Sequence, residues 1–387
     1  MAPIEESEHL GMLRDTLRRF IDKEMPRDKV AAWDKQNVFP REVHDGLVAL
    51  GLTGLTVPEE FGGSGRDITA TILVIEELCS RSMAVGCAYI QSTCYAGLNL
   101  CEVASEEQKK ALLPKVAEEG LMFAYGFTEP DVGADLASVS TTARREGDEL
   151  VVNGSKRFCS GAAISEYIYA LVRTGPVEDK YRNLSLVLIE PDARGVTLEP
   201  QDTLGLKGGG TFDVSFDDVR IPVANVVGGE DGLNQGWQKL VGPGLDIEKL
   251  EVAAMALGIA RGAVADAWEY AQQRVQFGKP ICTIQSVRHM LSDVKTKWEA
   301  CRLMTYNAAR LVDDGVPAAV ETSMAKLFVC DTARDIVLTC QQIMGAYGYV
   351  RDFDMERYVR DILVMPILGG SSAIQRNNIA NLLKLPR

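Results

Sequence analysis

The sequence predicts an α+β protein in three parts: a helical first third, a small β-rich middle and a helical remainder. Three observations carry that prediction. Residues 1–120 place apolar side chains at three- and four-residue steps, residues 121–230 break into short β-rich runs bounded by turn residues, and residues 231–387 return to helical spacing. A chain of 387 residues has length enough for about two or three domains and extensive cores.

In the first part, Leu10, Leu13, Leu17 and Phe20 fall on one helical face. The run ITATILVIEELCSRSMAVGCAYI has the length and apolarity of one buried helix, and TVPEEFGGSGRD before it reads as a loop. In the middle part, ELVVNGSKRFCSG, EYIYALVRTG, LSLVLIEP, VTLEP and FDVSFDDVRIP have strand length and composition, with a hairpin signal at Asn153-Gly154. No helical pattern intervenes, so the expectation is an antiparallel barrel or sandwich, not βαβ units. The last part holds helical segments at 245–275, 283–313, 318–346 and 371–384, with a helix-to-helix turn at DDGVPA.

Hydrophobic residues make up 46% and charged residues 25%, the balance of an ordinary globular protein. A net charge of −13 offers no basic field for nucleic acid, although a few local cations can still hold a small anionic ligand. The nine cysteines are scattered without a CxxC pair and read as reduced thiols of a cytosolic protein, with no metal site expected. MAPIEESEHL lacks an apolar targeting core, and no apolar run reaches the roughly 20 residues of a membrane span. The reading is a soluble, cytoplasmic protein with no membrane or nucleic-acid partner.

Three stretches could carry chemistry. AYGFTEPDVGADLASV would gather backbone N–H groups and a hydroxyl into a nest for a phosphate or polar heterocycle, or form a capped turn. In NGSKRFCSGA, Phe158 and Ser160 are two apart and share a strand face, where a flat ligand could stack on one and bond the other. In QQRVQFGKPICTIQSVRHML, Arg274 lies at a loop tip, where its fork suits a diphosphate.

Together with VPEEFGG, QQIMGAYGY, MERYVRD and GGSSAIQR, these motifs fall in the order and spacing of one family across the whole chain. The chain resembles the acyl-CoA dehydrogenases, FAD-dependent enzymes that oxidise the Cα–Cβ bond of acyl-CoA thioesters. The resemblance implies an N-terminal helical domain (1–120), a middle antiparallel β barrel (121–230) and a C-terminal four-helix bundle (231–387). It further implies a homotetramer that passes electrons to an electron-transfer flavoprotein. It places the flavin against Tyr125, Phe127, Thr128, Phe158 and Ser160, with Ser160 at flavin N5. Arg274, Gln276, Phe277, Gln285, Gln342, Gly345 and Ala346 match segments that reach FAD in a neighbouring subunit, and Ser371 completes the pocket. Ala134, Gln91, Asp246, Lys249, Gly369 and Gly370 match positions along the acyl-CoA. Three departures are visible: Ala134 for a frequent Ser, Ala373 for a common Gln, and GAYG for GGxG.

The family reaction needs a carboxylate to take the α-proton while a β-hydride goes to the flavin. Most members carry that Glu where this chain has Gly369, which cannot take a proton. A minority branch, including isovaleryl-CoA dehydrogenase, carries it on an earlier helix, and Glu248 occupies that position. Val252, Met255 and Ile259 follow on the same face, so Glu248 sits on its helix's apolar stripe. An unpaired carboxylate there costs roughly several kcal/mol and implies either a partner or a use. Glu251 is the fallback base. The leading expectation is therefore an acyl-CoA dehydrogenase with Glu248 as base. The alternatives are a relative with altered chemistry, such as a CoA-thioester desulfinase or enoyl-CoA reductase, and a catalytically idle acyl-CoA-binding flavoprotein subunit.

Overall fold

The computed structural model describes residues 7–241 and 244–386. The N-terminal part holds α1 (Glu8–Glu24), α2 (Arg27–Gln36), α3 (Arg41–Ala49), α4 (Ile68–Cys79), α5 (Met83–Ile90), a π-helical segment (Gln91–Leu98), α6 (Asn99–Val103) and α7 (Glu106–Glu119). The long apolar run is thus two helices. Ser82 ends the turn after α4 and caps α5, its hydroxyl accepting from the Val85 N–H. Hydrophobic periodicity cannot show such a break, because both helices are buried nearly all round. The π-helical continuation of α5 widens the backbone where residues 91–98 face the middle and last parts.

The middle part is one sheet built from β1 (Phe123–Gly126), β2 (Thr142–Glu146), β3 (Glu149–Ser160), β4 (Tyr167–Arg173), β5 (Leu184–Ile189), β6 (Val196–Pro200) and β7 (Thr211–Pro222). The order runs β1-β4-β2-β3-β7-β6, with β5 on the other edge of β4. The long pairings are antiparallel, but β1 runs parallel to β4 and β2 touches it in parallel at Thr142 and Arg173. Asn153-Gly154 is not a hairpin turn. It lies inside β3 at a register shift, where Gly154 has φ 140 and an added Cβ would sit 2.7 Å from Thr141 Cα.

The last part holds α8 (Gly236–Leu240), α9 (Gly244–Gln273), a two-stranded turn of β8 (Val275–Gln276) and β9 (Lys279–Pro280), α10 (Gln285–Asp313), α11 (Ala319–Met344), α12 (Met355–Ile362) and α13 (Ser372–Leu382). α9 packs against α4, α5, α10, α11 and α12, and its residues 250–260 are buried without interruption. It is the axis on which the first and last parts share one core. No helix among the described residues is long and apolar enough to cross a membrane.

Candidate active site

The first turns of α9 carry both acidic residues. Glu248 is half-buried and Glu251 is only 2% exposed. Val252, Met255 and Ile259 are buried, so Glu248 does head an apolar stripe. Burial pushes the Glu248 carboxyl up to about 7 against the opposing pull of Lys249 and Lys326. Burial likewise pushes Glu251 up to about 8; the Cys94 thiol opposes this, and the charges of Glu248 and Glu102 add to it. Glu251 Oε2 has no hydrogen-bond partner.

The loop before α13 forms one wall. Gly369 has φ 61 and Gly370 φ 75, the left-handed region in which a side chain is strained. A Cβ on Gly369 would lie 2.8 Å from Val252 Cγ2, one turn beyond Glu248. Gln375 holds the loop from behind, its Nε2 donating to Gly369 O (3.2 Å) and Gly370 O (3.1 Å). Lys326, fully buried on α11, donates to Met365 O (3.2 Å) and acts on Glu248 electrostatically. The backbone that could carry a base at 369 is therefore folded for glycine, and the carboxyl stands on the facing helix.

Aromatic rings form the facing wall. Tyr95, in the π-helical segment, stacks on Tyr125 of β1 at 3.6 Å and 9°. Phe127 packs against Tyr125 at 4.4 Å, and Asn99 Nδ2 donates to the Tyr125 hydroxyl at 2.7 Å. The Glu248 charge bears on both tyrosines.

Next to this lies an open ledge. Phe158 sits at φ 61 where β3 shifts register between Lys156 and Cys159, and it remains 57% exposed with Arg157 5.2 Å above its ring. The shift breaks the alternation ahead of Phe158, where Arg157 and Phe158 are both exposed, whereas Phe158 and the half-buried Ser160 flank the buried Cys159. Ser160 Oγ is 3.1 Å from Thr211 Oγ1, and the Arg157 N–H donates to Thr128 O at 2.8 Å, joining the ledge to the loop after β1. The Gln91 side chain donates to Ser160 O at 2.7 Å, so it braces the ledge instead of presenting that donor to a substrate. The Thr-Glu-Pro loop is tied down through its Glu129. Glu129 accepts from the Ser140 N–H (2.7 Å), the Ser140 hydroxyl (2.6 Å), the Thr141 N–H (2.9 Å) and Lys156 Nζ (2.8 Å), which fixes the loop against β2 and β3.

The remaining positions divide into two groups. Asp246 and Lys249 pair with each other at 2.7 Å in the first turns of α9, Ala134 is exposed in the loop after β1, and Ser371 caps α13 by accepting from the Ile374 N–H at 3.4 Å. Arg274, Gln276, Phe277, Gln285, Gln342, Gly345 and Ala346 form another surface. There Phe277 is 91% exposed at φ 53, Arg274 lies 5.6 Å over Tyr347, and Gln276 Nε2 donates to Val275 O. Among the described residues no hydrogen bond or ring contact joins this surface to Phe158 or Ser160. Sequence reading missed Tyr95, Gln375 and Lys326; the last was findable, since Thr322, Lys326, Val329 and Ala333 share the buried stripe of α11.

The chain matches the family models described as Acyl-CoA dehydrogenase N-terminal domain (residues 7–120), middle domain (124–219) and C-terminal domain (234–384). It is 35% identical over 383 residues to the 3-(aryl)acrylate reductase of Clostridium sporogenes, covering 98% of this chain and 99% of that one. It is 32% identical over 379 residues to the caffeyl-CoA reductase-Etf complex subunit CarC of Acetobacterium woodii, covering 97% and 98%. The butyryl-CoA dehydrogenase structure of Megasphaera elsdenii superposes with a TM-score of 0.93 at 29% identity, covering 98% of this chain and 99% of that one. With three consecutive domain matches and full-length relatives, the chain belongs to the acyl-CoA dehydrogenase family, oxidoreductases acting on CH–CH donors.

Proposed function

We propose that this protein catalyses FAD-dependent α,β-dehydrogenation of an acyl-CoA thioester, with Glu248 as the base and an electron-transfer flavoprotein as the electron acceptor. The observation that carries the proposal is the pairing of a glycine-only loop at 369–370 with a desolvated carboxyl across from it. This pairing supports assignment to the branch with its base on the earlier helix. The residues present fit a flavin: an uncovered aromatic face at Phe158, the Ser160 and Thr128 hydroxyls and the aromatic wall of Tyr125 and Phe127. Bound FAD supplies the two-electron acceptor for the β-hydride. Glu248 takes the α-proton, and its desolvation makes it a stronger base than a solvated carboxylate. Tyr95 and Tyr125 exclude water on one side and Val252 with the glycine loop on the other, so charge developing on the thioester is not screened. The exposed surface at Arg274 and Phe277 fits a contact with FAD in a neighbouring subunit of a homotetramer.

A second reading has specific support. Two of the relatives above are named as reductases, and the same residues serve the reverse direction, Glu248 then delivering the α-proton. An anaerobic titration with saturated and α,β-unsaturated acyl-CoAs, followed by flavin absorbance, tests both readings. Bleaching by a saturated thioester supports dehydrogenation. Reoxidation of reduced flavin by the unsaturated thioester alone supports reduction. Equal rates for wild type and Glu248→Gln would remove Glu248 from the mechanism.

A further inference from the structure

Most buried carboxylates of this chain have a cation or a set of donors. Glu77 has three arginines, Glu129 has Lys156, and Asp361 accepts the Leu206 N–H at 2.8 Å. Glu251 has neither. It is 2% exposed, no ion pair reaches it among the described residues, and Oε2 is unpartnered. It lies three residues after Glu248 on α9, the spacing that places two side chains on neighbouring positions of one helix face, with Cβ atoms about 5–6 Å apart. The family reaction does not need two carboxyls, so the second one has to be explained.

The groups around the pair come from every element packed on it. Cys87 of α5 and Cys94 and Tyr95 of the π-helical segment lie beside Glu251, Glu102 of α6 adds a carboxyl, Tyr125 of β1 faces Glu248, and Lys249 and Lys326 bear on Glu248. Burial pushes the Cys87 thiol up to about 12 and the Cys94 thiol and both tyrosines well above their usual range, so all four stay neutral near pH 8. The cations attend Glu248 and leave Glu251 uncompensated. Two negative charges in one dry enclosure exclude each other.

We propose that Glu251 is a positioning residue that keeps its proton throughout turnover, leaving Glu248 as the single charge of the pair. Abstraction of the α-proton moves negative charge from Glu248 onto the thioester, and only one such charge is accommodated beside the aromatic wall. Loss of the Glu251 proton adds a second charge and opposes that step. The reaction is therefore bounded by two ionisations: Glu248 must be ionised, and Glu251 must not be. This rests on Glu248 being the base.

The test is single-turnover flavin reduction by a saturated acyl-CoA, from pH 6 to 9.5, on the flavin-loaded wild type, Glu251→Gln and Glu251→Met. Thermal melting of each is recorded over the same range. The wild type should show a bell, its alkaline limb falling about tenfold per pH unit beyond the second ionisation. Both variants should keep the acid limb and lose the alkaline one. Wild-type melting should decline from pH 6 and level off as folded-state Glu251 ionises near pH 8, and the variants should decline less. A wild type without an alkaline limb overturns the proposal. So does an alkaline limb that persists in the variants, which would assign it to another group such as Lys326. A Glu248→Gln enzyme that reduces flavin at the wild-type rate overturns the base assignment instead, so the two failures are distinguishable.

Discussion

α9 passes through two desolvated acidic regions that are electrostatically opposite. Near Arg261 it meets Glu76 and Glu77 of α4. Glu77 binds Arg14, Arg18 and Arg261, with Arg261 Nη2 at 2.7 Å from Oε2, and Tyr306 donates to Glu76 at 2.6 Å. Burial alone would raise Glu77, but the arginine charges and hydrogen bonds outweigh it and hold the carboxyl down to about 2. About three to four helical turns earlier, Glu248 and Glu251 are also desolvated, yet their carboxyls stand at about 7 and about 8 because no guanidinium offsets burial. Burial does not by itself make a carboxyl into a base. The partners decide whether it becomes a strut or a proton acceptor.

The two regions should respond to the same substitution in opposite ways. The largest effect is on rate: Glu248→Gln should slow flavin reduction by about 10²–10⁴-fold while the flavin absorbance spectrum shows the cofactor still bound. Next comes stability. Glu77→Gln leaves three arginines facing a neutral amide and should cost about 3–5 kcal/mol at pH 7, read as a lowered melting temperature. Because the folded-state value of Glu77 is depressed, its stabilising contribution is complete above about pH 4.5 and lost as pH falls towards about 2. The variant should lack that acid-side loss. Gly369→Ala places a side chain at φ 61 against Val252 and should cost about 1–3 kcal/mol and slow flavin reduction. The smallest effect is the mirror image of Glu77. The folded-state value of Glu248 is raised, so the wild type loses stability as pH climbs from about 4.5 through about 7. Melting curves of Glu248→Gln should therefore be flatter across that window.

Much of this was legible in the sequence, and the exceptions share a cause. The α–β–α order, the terminal helices and the placement of Glu248 above Val252, Met255 and Ile259 follow from periodicity, which depends only on local geometry. Gly369 was readable as the absence of a proton acceptor, while its φ of 61 and its contact with Val252 were not. What the sequence hid is set by partners distant along the chain. The register shift that turns Phe158 outward answers to β7, the Tyr95–Tyr125 stack joins the π-helical segment to β1, and Gln91 is spent on Ser160 O. The Asn153-Gly154 signal failed for the same reason: Thr141 packs where a side chain at 154 would stand, and β3 runs straight on.

The most direct measurement is the pH dependence of wild-type flavin reduction between pH 5 and 8 under single-turnover conditions with saturating acyl-CoA. A desolvated Glu248 acting as the base predicts a rate that rises about tenfold per unit at the acid end and levels near pH 7. A rate flat across that range, as for a carboxylate held down in the manner of Glu77, would contradict the account.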